Sequence, residues 1–256
     1  MKGINDECYN NGYSVTFTNS DNSPRAEVDN IKRLCQQNIS GIILDPVYAD
    51  NPAFEFLNNN EAIMIDRQSS NLLIDTVVCD NENSVYKFIL LMKAKGYEDI
   101  YFVSTPLENI STRIQRYKGF KKAMNLLNDN NLIVYYSDEQ VKHEIENLIK
   151  LKNQKLGFFT VNGSTLLKLM RSVKDLKLLY PTDFGIGTYE DLDWMKILNP
   201  GMSCIRQKSY EMGVVAAKHL IHKINSEENF KPKLIEVGTE IIIMESFWNY
   251  NLLIAR

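Results

Sequence analysis

The sequence predicts an α/β fold built as two doubly wound parallel-sheet lobes with a ligand cleft between them. Three observations lead there. Short apolar, β-branched runs alternate with amphipathic helical stretches, the pattern of parallel sheets covered by helices on both faces. About eleven such strand-like runs can be counted, more than one sheet in a chain of this size holds comfortably. With 256 residues, the chain is long enough for two cores of ordinary size.

Met1–Asn11 reads as a helix stopped by Gly12. Ser14–Thr18 alternates and is β-branched, so a strand is expected there. Asn19–Pro24 is a turn. Ser23 is placed to cap, and Pro24 to begin, a helix through Gln37 with Val28, Ile31, Leu34 and Cys35 at three- and four-residue spacing. Gly41–Leu44 is a short buried-type strand ended by Asp45-Pro46. A short helix at Pro52–Asn59 precedes strand Ala62–Ile65, which runs into Asp66-Arg67. Strand Thr76–Cys79 ends in Asp80-Asn81, which can cap helix Glu82–Lys95, and Gly96 stops that helix.

Strand Ile100–Val103 and helix Ser111–Leu127 follow, the helix carrying Arg113 and Arg116 beside apolar Ile114, Phe120, Ala123 and Leu127. Then come strand Leu132–Tyr135, helix Asp138–Leu151, strand Leu156–Val161 and helix Thr165–Lys174, with Asn162-Gly163-Ser164 at the junction. Strand Phe184–Gly187 opens an acidic loop, a helical turn around Trp194, the turn Asn199-Pro200-Gly201 and strand Ser203–Arg206. Helix Tyr210–Asn225 and strands Lys233–Val237 and Glu240–Met244 end the pattern. One feature stands apart: the pattern begins with a helix, whereas a doubly wound lobe normally builds outward from a first, central strand.

Composition narrows the function classes. Hydrophobic content of 44% and charged content of 24% fit a globular protein, and a formal net charge of −3 supplies no general basic surface for nucleic acid. Cys8, Cys35, Cys79 and Cys204 are far apart and show no CxxC spacing, so they read as reduced thiols of a cytoplasmic protein. No apolar run is long enough for a membrane helix, and the N-terminal stretch lacks the apolar segment of a secretory signal. Phosphate-binding glycine motifs, the GxSxG nucleophile elbow and HExxH are all missing. His219 and His222 are spaced for one helix face but lack an evident third ligand, so no metal, no cofactor and no enzymatic activity are expected.

What remains is a set of polar residues at strand ends: Asp66 and Arg67 after 62–65, Asn162 after 156–161, and Glu190 and Asp191 after 184–187, with Arg116 inside helix 111–127. Singly, each reads as a helix cap or a surface ion pair. Together they supply carboxylates, guanidinium groups and an amide, the groups that hold a polyhydroxylated ligand. Trp194 is either core or an apolar wall for such a ligand. Strand-end alternation points Glu190 inward and turns Asp191 toward the loop.

At this point the residues resemble a family. NGYSVTFTNSDNSP (11–24), ISGIIL (39–44), IDRQ (65–68), VVCDN (77–81), KGYEDIYFVSTP (95–106), RYKGFKKAM (116–124) and above all YEDLDW with IRQ (189–207) are similar to the effector-binding core of LacI/GalR transcription regulators, over roughly 2–247. The resemblance implies two periplasmic-binding-protein-like (type I) lobes joined by crossovers, here 1–78 plus 208–237 and 79–207 plus 238–256. It implies a small-molecule effector, usually a carbohydrate, contacted by Asp66, Arg116, Asn162 and Glu190, with Arg67, Trp194 and Gln207 near the site or hinge. It also implies a homodimer, for which Cys8, Tyr9 and Tyr13 offer apolar surface. DNA contact would come only through an N-terminal domain absent from this chain, and no membrane partner is implied.

Three positions depart from the family pattern: Glu190 and Gly163 each stand where aspartate is usual, and Thr188 stands for glycine. By the family topology a first core strand would precede Lys2 and lie between Ser14–Thr18 and Gly41–Leu44, which would leave the first lobe of residues 1–256 marginal by itself. The reading is therefore the effector-binding core of a transcription regulator working by ligand-driven lobe closure. The alternatives are a sugar-binding receptor of the transport type and, less well supported, an α/β enzyme.

Overall fold

The structure is a computed structural model that describes residues 1–151, 155–226, 228 and 231–247. The chain forms two compact units. The first is Met1–Asp80, Glu108–Thr112 and Lys208–Gly238; the second is Asn81–Leu107, Arg113–Gln207 and Thr239–Arg256. The expected placement of residues 248–256 in the second lobe lies outside the described residues. No helix among the described residues is long and apolar enough to cross a membrane.

The first unit holds a four-stranded parallel sheet. Its strands are β1 (Ile42–Leu44), β2 (Ala62–Ile65), β3 (Thr76–Cys79) and, from far along the chain, β9 (Leu234–Val237), in that spatial order. Alternation along β2 sorts the core into two layers. Ala62 and Met64 pack with Ile31 of helix α2 (Pro24–Cys35) and with Phe54. Ile63 faces the other way, against Met212, Ala216 and Leu220 of helix α7 (Ser209–Ile224). Helix α2 starts as its sequence dictates, with Ser23 Oγ accepting from the Ala26 N–H at 3.3 Å and Pro24 in the first turn. Helix α1 (Lys2–Asn10) lies on α7 so closely that a Cβ at Gly3 would sit 2.2 Å from the Tyr210 carbonyl oxygen.

The expected strand Ser14–Thr18 does not form. The segment is extended and mostly exposed, Phe17 by 52%, and it makes no ladder pairing; the sheet ends at β1. A β-branched run expresses only a preference for extended backbone. A strand also needs a neighbour whose N–H and C=O groups face its own, and no described strand lies beside this segment. Ten strands form among the described residues instead of the eleven expected.

The second unit holds a six-stranded sheet in the order β10-β8-β7-β6-β4-β5. Its strands are β4 (Asp99–Ser104), β5 (Leu132–Val134), β6 (Leu156–Thr160), β7 (Gly185–Tyr189), β8 (Ser203–Gln207) and β10 (Thr239–Ile242). All pairings are parallel except β10 on β8, a correction to the expectation of parallel pairing throughout. The chain re-enters this unit at Thr239 directly after β9, so β10 arrives at the sheet edge running backward. Helices α3 (Asn81–Ala94) and α4 (Ser111–Met124) cover one face through Phe88, Met92, Tyr117 and Phe120 against Ile100, Phe102 and Phe159. Helices α5 (Asp138–Leu151) and α6 (Gly163–Asp175) cover the other through Val141, Ile145, Leu166 and Leu169 against Val103, Phe158 and Ile186.

A polar network centred on Asp75 is buried in the first unit. The side chain of Lys223 on α7 is fully enclosed, and its Nζ donates to Asp75 Oδ2 at 3.1 Å, Asn59 Oδ1 at 3.1 Å and the Ala62 carbonyl at 3.3 Å. His219 Nε2 lies 2.7 Å from the same Asp75 oxygen, and the Lys233 N–H donates to the other at 2.8 Å. Burial pushes the Asp75 carboxyl up, but the hydrogen bonds from Lys223, His219 and Lys233 overcome it and hold it below the ordinary carboxylate value. Burial lowers His219, against the pull of Asp75. Both groups therefore favour the deprotonated form when folded. Their contribution is complete above the unfolded values, about 6.5 for histidine and about 3.9 for aspartate, and is lost as pH falls through and below them. Urea unfolding should accordingly show the first unit weakening from pH 7 toward pH 5, with a second loss below about pH 4. His219→Gln should flatten the first slope; an unchanged slope in that variant would assign the effect elsewhere.

Candidate functional site

The carboxyl ends of the parallel strands carry the sequence-predicted residues, each unit contributing its own set. In the second unit the centre is Arg116. It sits on α4, is only 3% exposed, and is compensated from three directions. Its Nε donates to Asn81 Oδ1 at 2.8 Å, its Nη1 donates to the Val161 carbonyl at 2.9 Å, and its Cζ lies 3.5 Å from the centre of the Tyr189 ring. Its Nη2 makes no hydrogen bond among the described residues. Val161 immediately precedes Asn162, and Tyr189 immediately precedes Glu190. Arg116 thus touches the ends of β6 and β7 and brings three of the predicted residues into one neighbourhood.

Asn162 is the N-cap of α6. Its Oδ1 accepts from Thr165 N at 2.9 Å, Thr165 Oγ1 at 2.8 Å and Ser164 Oγ at 2.9 Å. Glu190 has φ +79, left-handed backbone that a side chain adopts at a cost. Its carboxylate accepts from Gly163 N at 3.1 Å, at the positive end of α6. Asp191 turns the other way, accepting from Arg206 Nε at 2.7 Å. Two departures from the family pattern prove complementary. A Cβ at Gly163 would lie 2.4 Å from Leu192 Cδ1 and 3.3 Å from Glu190 Oε2, so the missing side chain leaves room for the longer glutamate. Thr188, the third departure, is buried and receives a hydrogen bond from Thr160 Oγ1 at 2.7 Å. Trp194 lies in the 3₁₀ turn Asp193–Ile197 and packs, partly buried, against the core under α6. Gln207 ends β8 opposite Thr239, one residue before the chain leaves this unit.

In the first unit, Asp66 follows β2 with φ +66, so two of the three carboxylates singled out at strand ends, Asp66 and Glu190, occupy left-handed backbone. Arg67 donates through Nη1 to the carbonyls of Pro46 at 2.9 Å and Val47 at 3.2 Å, and its Nε lies 3.8 Å from Asp45 Oδ1. Asn81, Tyr189 and Asp45 were not singled out from the sequence. Asn81 reads there as a helix cap and Asp45 as a strand end, and only the fold shows what lies opposite them. Among the described residues no group of three or more metal-ligating side chains converges.

The sequence profile of the periplasmic binding protein-like domain matches residues 91–247. The chain belongs to that family. It is also similar to the HTH-type transcriptional regulator KdgR of Bacillus subtilis, at 28% identity over 254 residues, covering 96% of this chain and 75% of KdgR. Its fold matches a LacI family transcriptional regulator from Enterococcus faecium with bound ribose at a TM-score of 0.79 and 20% identity, covering 96% and 91% of the two chains. It also matches the transcriptional regulator CelR in complex with cellobiose, at a TM-score of 0.81 and 16% identity, covering 95% and 76%. The resemblance to LacI-type regulator cores and the α/β, parallel-sheet fold expected from the sequence are both borne out.

Gly119 lies one turn beyond Arg116 on α4, where a Cβ would meet the Glu82 carbonyl oxygen at 2.1 Å. This close approach to the start of α3 is what lets Arg116 reach Asn81. Gly119→Ala should force the helices apart and destabilise the protein by about 1–3 kcal/mol, the usual range for overpacking. Urea unfolding of the variant checks this, and a change near zero would show that α4 can shift without penalty.

Proposed function

We propose that this chain is the effector-binding core of a LacI/GalR-type transcription regulator and that its effector is a carbohydrate or sugar derivative. The single observation that carries the reading is the Arg116 cluster. A nearly buried guanidinium keeps one nitrogen without a hydrogen bond among the described residues, and its partners Val161 and Tyr189 directly precede the cap asparagine of α6 and a carboxylate in left-handed backbone. Ribose in one regulator of this fold and cellobiose in another support the ligand class. Arg116, Asn162 and Glu190 supply its polar contacts in the second unit, and Asp66 and Arg67 do so in the first. Trp194 and Gln207 act at the margin of the site and at the hinge. Ligand shifts the population of the two units toward a closed arrangement, and a DNA-binding domain outside this chain responds. This role involves no catalysis.

We propose further that the core works as a two-fold dimer. Tyr9 on α1 is exposed, and the second unit has a groove of about 580 Å³ lined by Leu167, Met170, Leu179, Ile197 and Leu198, with Ile197 85% exposed. Apolar side chains grouped this way mark association surfaces. Sedimentation at tens of micromolar should show a dimer, and a monomer throughout that range would remove this part of the reading.

Isothermal titration against a panel of sugars and sugar phosphates identifies the effector. With the tightest-binding member, Arg116→Lys should weaken binding by about 1.5–3 kcal/mol, because lysine offers one point charge where the guanidinium offers a fork of donors. Unchanged affinity would refute the assignment.

A further inference from the structure

We propose that Glu27, on α2, is a positioning residue for Arg67, acting through the loop 45–51. The proposal rests on the reading of Arg67 as an effector contact. Glu27 stands in the first turn of α2, whose start is fixed by Ser23 and Pro24, and it is 1% exposed. Its Oε1 accepts from the Val47 N–H at 2.8 Å and its Oε2 accepts from Asn51 Nδ2. It forms no salt bridge among the described residues. A carboxylate without water and without a salt-bridged cation is costly unless donors surround it, so these two bonds are strongly selected by the fold. They lie near the two ends of the loop, and Glu27 is the residue that joins them. Asn51 in turn caps the next turn by accepting from Ala53 N at 2.9 Å.

The same loop holds Arg67. The guanidinium is bound through Nη1 to the Pro46 and Val47 carbonyls. Its Nε is buried, makes no hydrogen bond among the described residues, and lies 3.8 Å from Asp45 Oδ1. A group held along one edge takes its orientation from the atoms on that edge. Val47 supplies both halves of the linkage: its N–H is fixed by Glu27 and its C=O fixes Arg67. The negative charge of Glu27 also acts favourably on the guanidinium, and that interaction counters the upward push of burial on the Glu27 carboxyl. A neutral side chain of the same shape would supply neither the double acceptor nor the field.

Glu27→Gln tests this. The glutamine amide presents an NH₂ group where one of the two donors expects an oxygen, so one end of the loop is released. Two readouts decide the matter in the 256-residue chain. The first is hydrogen exchange of the Arg67 side-chain ¹⁵Nε–H resonance, assigned by its disappearance in Arg67→Lys. Exchange should be about tenfold faster in Glu27→Gln, and equal exchange in the two proteins overturns the proposal. The second is affinity for the panel sugar that binds the wild type most tightly. Glu27→Gln should weaken it about tenfold, and should weaken it no further in an Arg67→Ala background, because residues acting as one unit are not additive. A full, additive loss in that background overturns the proposal.

If Arg67→Ala alone leaves affinity unchanged, the assignment of Arg67 as an effector contact fails, while the exchange measurement still decides whether Glu27 positions it. Should Glu27→Gln not fold, Asn51→Ser keeps a cap acceptor for Ala53 and removes the amide that donates to Glu27 and, more weakly, to the Pro24 carbonyl at 3.4 Å. It should speed Arg67 exchange about threefold, and no change there would count against the proposal as firmly.

Discussion

Arg116 has surrendered nearly all of its water, and the geometry of the second unit follows from how that loss is offset. A guanidinium cannot shed its charge on burial, so it needs acceptors and a π face in fixed places. Asn81 at the start of α3, the Val161 carbonyl at the end of β6 and the Tyr189 ring at the end of β7 supply them. Each belongs to a different element, so one side chain sets the mutual placement of α3, α4 and the two central strand ends. Gly119 makes this possible from the other side by allowing α4 to touch α3. The first unit has a smaller counterpart in Arg67, whose hydrogen bonds go to the Pro46 and Val47 carbonyls.

Local chemistry was legible in the sequence where it is carried by near neighbours. The apolar run at 62–65 marked β2, and three- and four-residue spacing placed Val28 and Ile31 on the core face of α2. The Ser23–Pro24 start of α2 and the Asn162 start of α6 follow from residues within one helical turn. What was not legible depends on partners far away in the chain. Asn81 meets Arg116 across 35 positions, and Glu27 meets Asn51 across 24. In the sequence Glu27 looks like an ordinary acidic residue complementing a helix dipole. Ser14–Thr18 failed for the same reason in reverse, since its composition favours a strand and composition cannot supply a partner.

The family pattern and the physics of single residues divide the work differently at the acidic loop. The pattern places a carboxylate there. Local geometry explains why a glutamate is accommodated: the added methylene lets it reach Gly163 N, and the glycine has no Cβ to obstruct it. A side chain at 163 would crowd Leu192 and come within 3.3 Å of the Glu190 carboxylate, so the two positions are packed as a pair.

The outer edge of β1 and the run Ser14–Thr18 have a consequence beyond binding. An open edge of a parallel sheet presents a row of donors and acceptors to any passing chain, and an extended, β-branched segment with an exposed phenylalanine is well suited to answer it. Charged residues blunt such edges in many proteins, yet Ile42, Ile43 and Leu44 carry none. A β1 edge without a ladder partner among the described residues is where another extended chain would find one, so covering that edge is a question of surface chemistry as much as of folding.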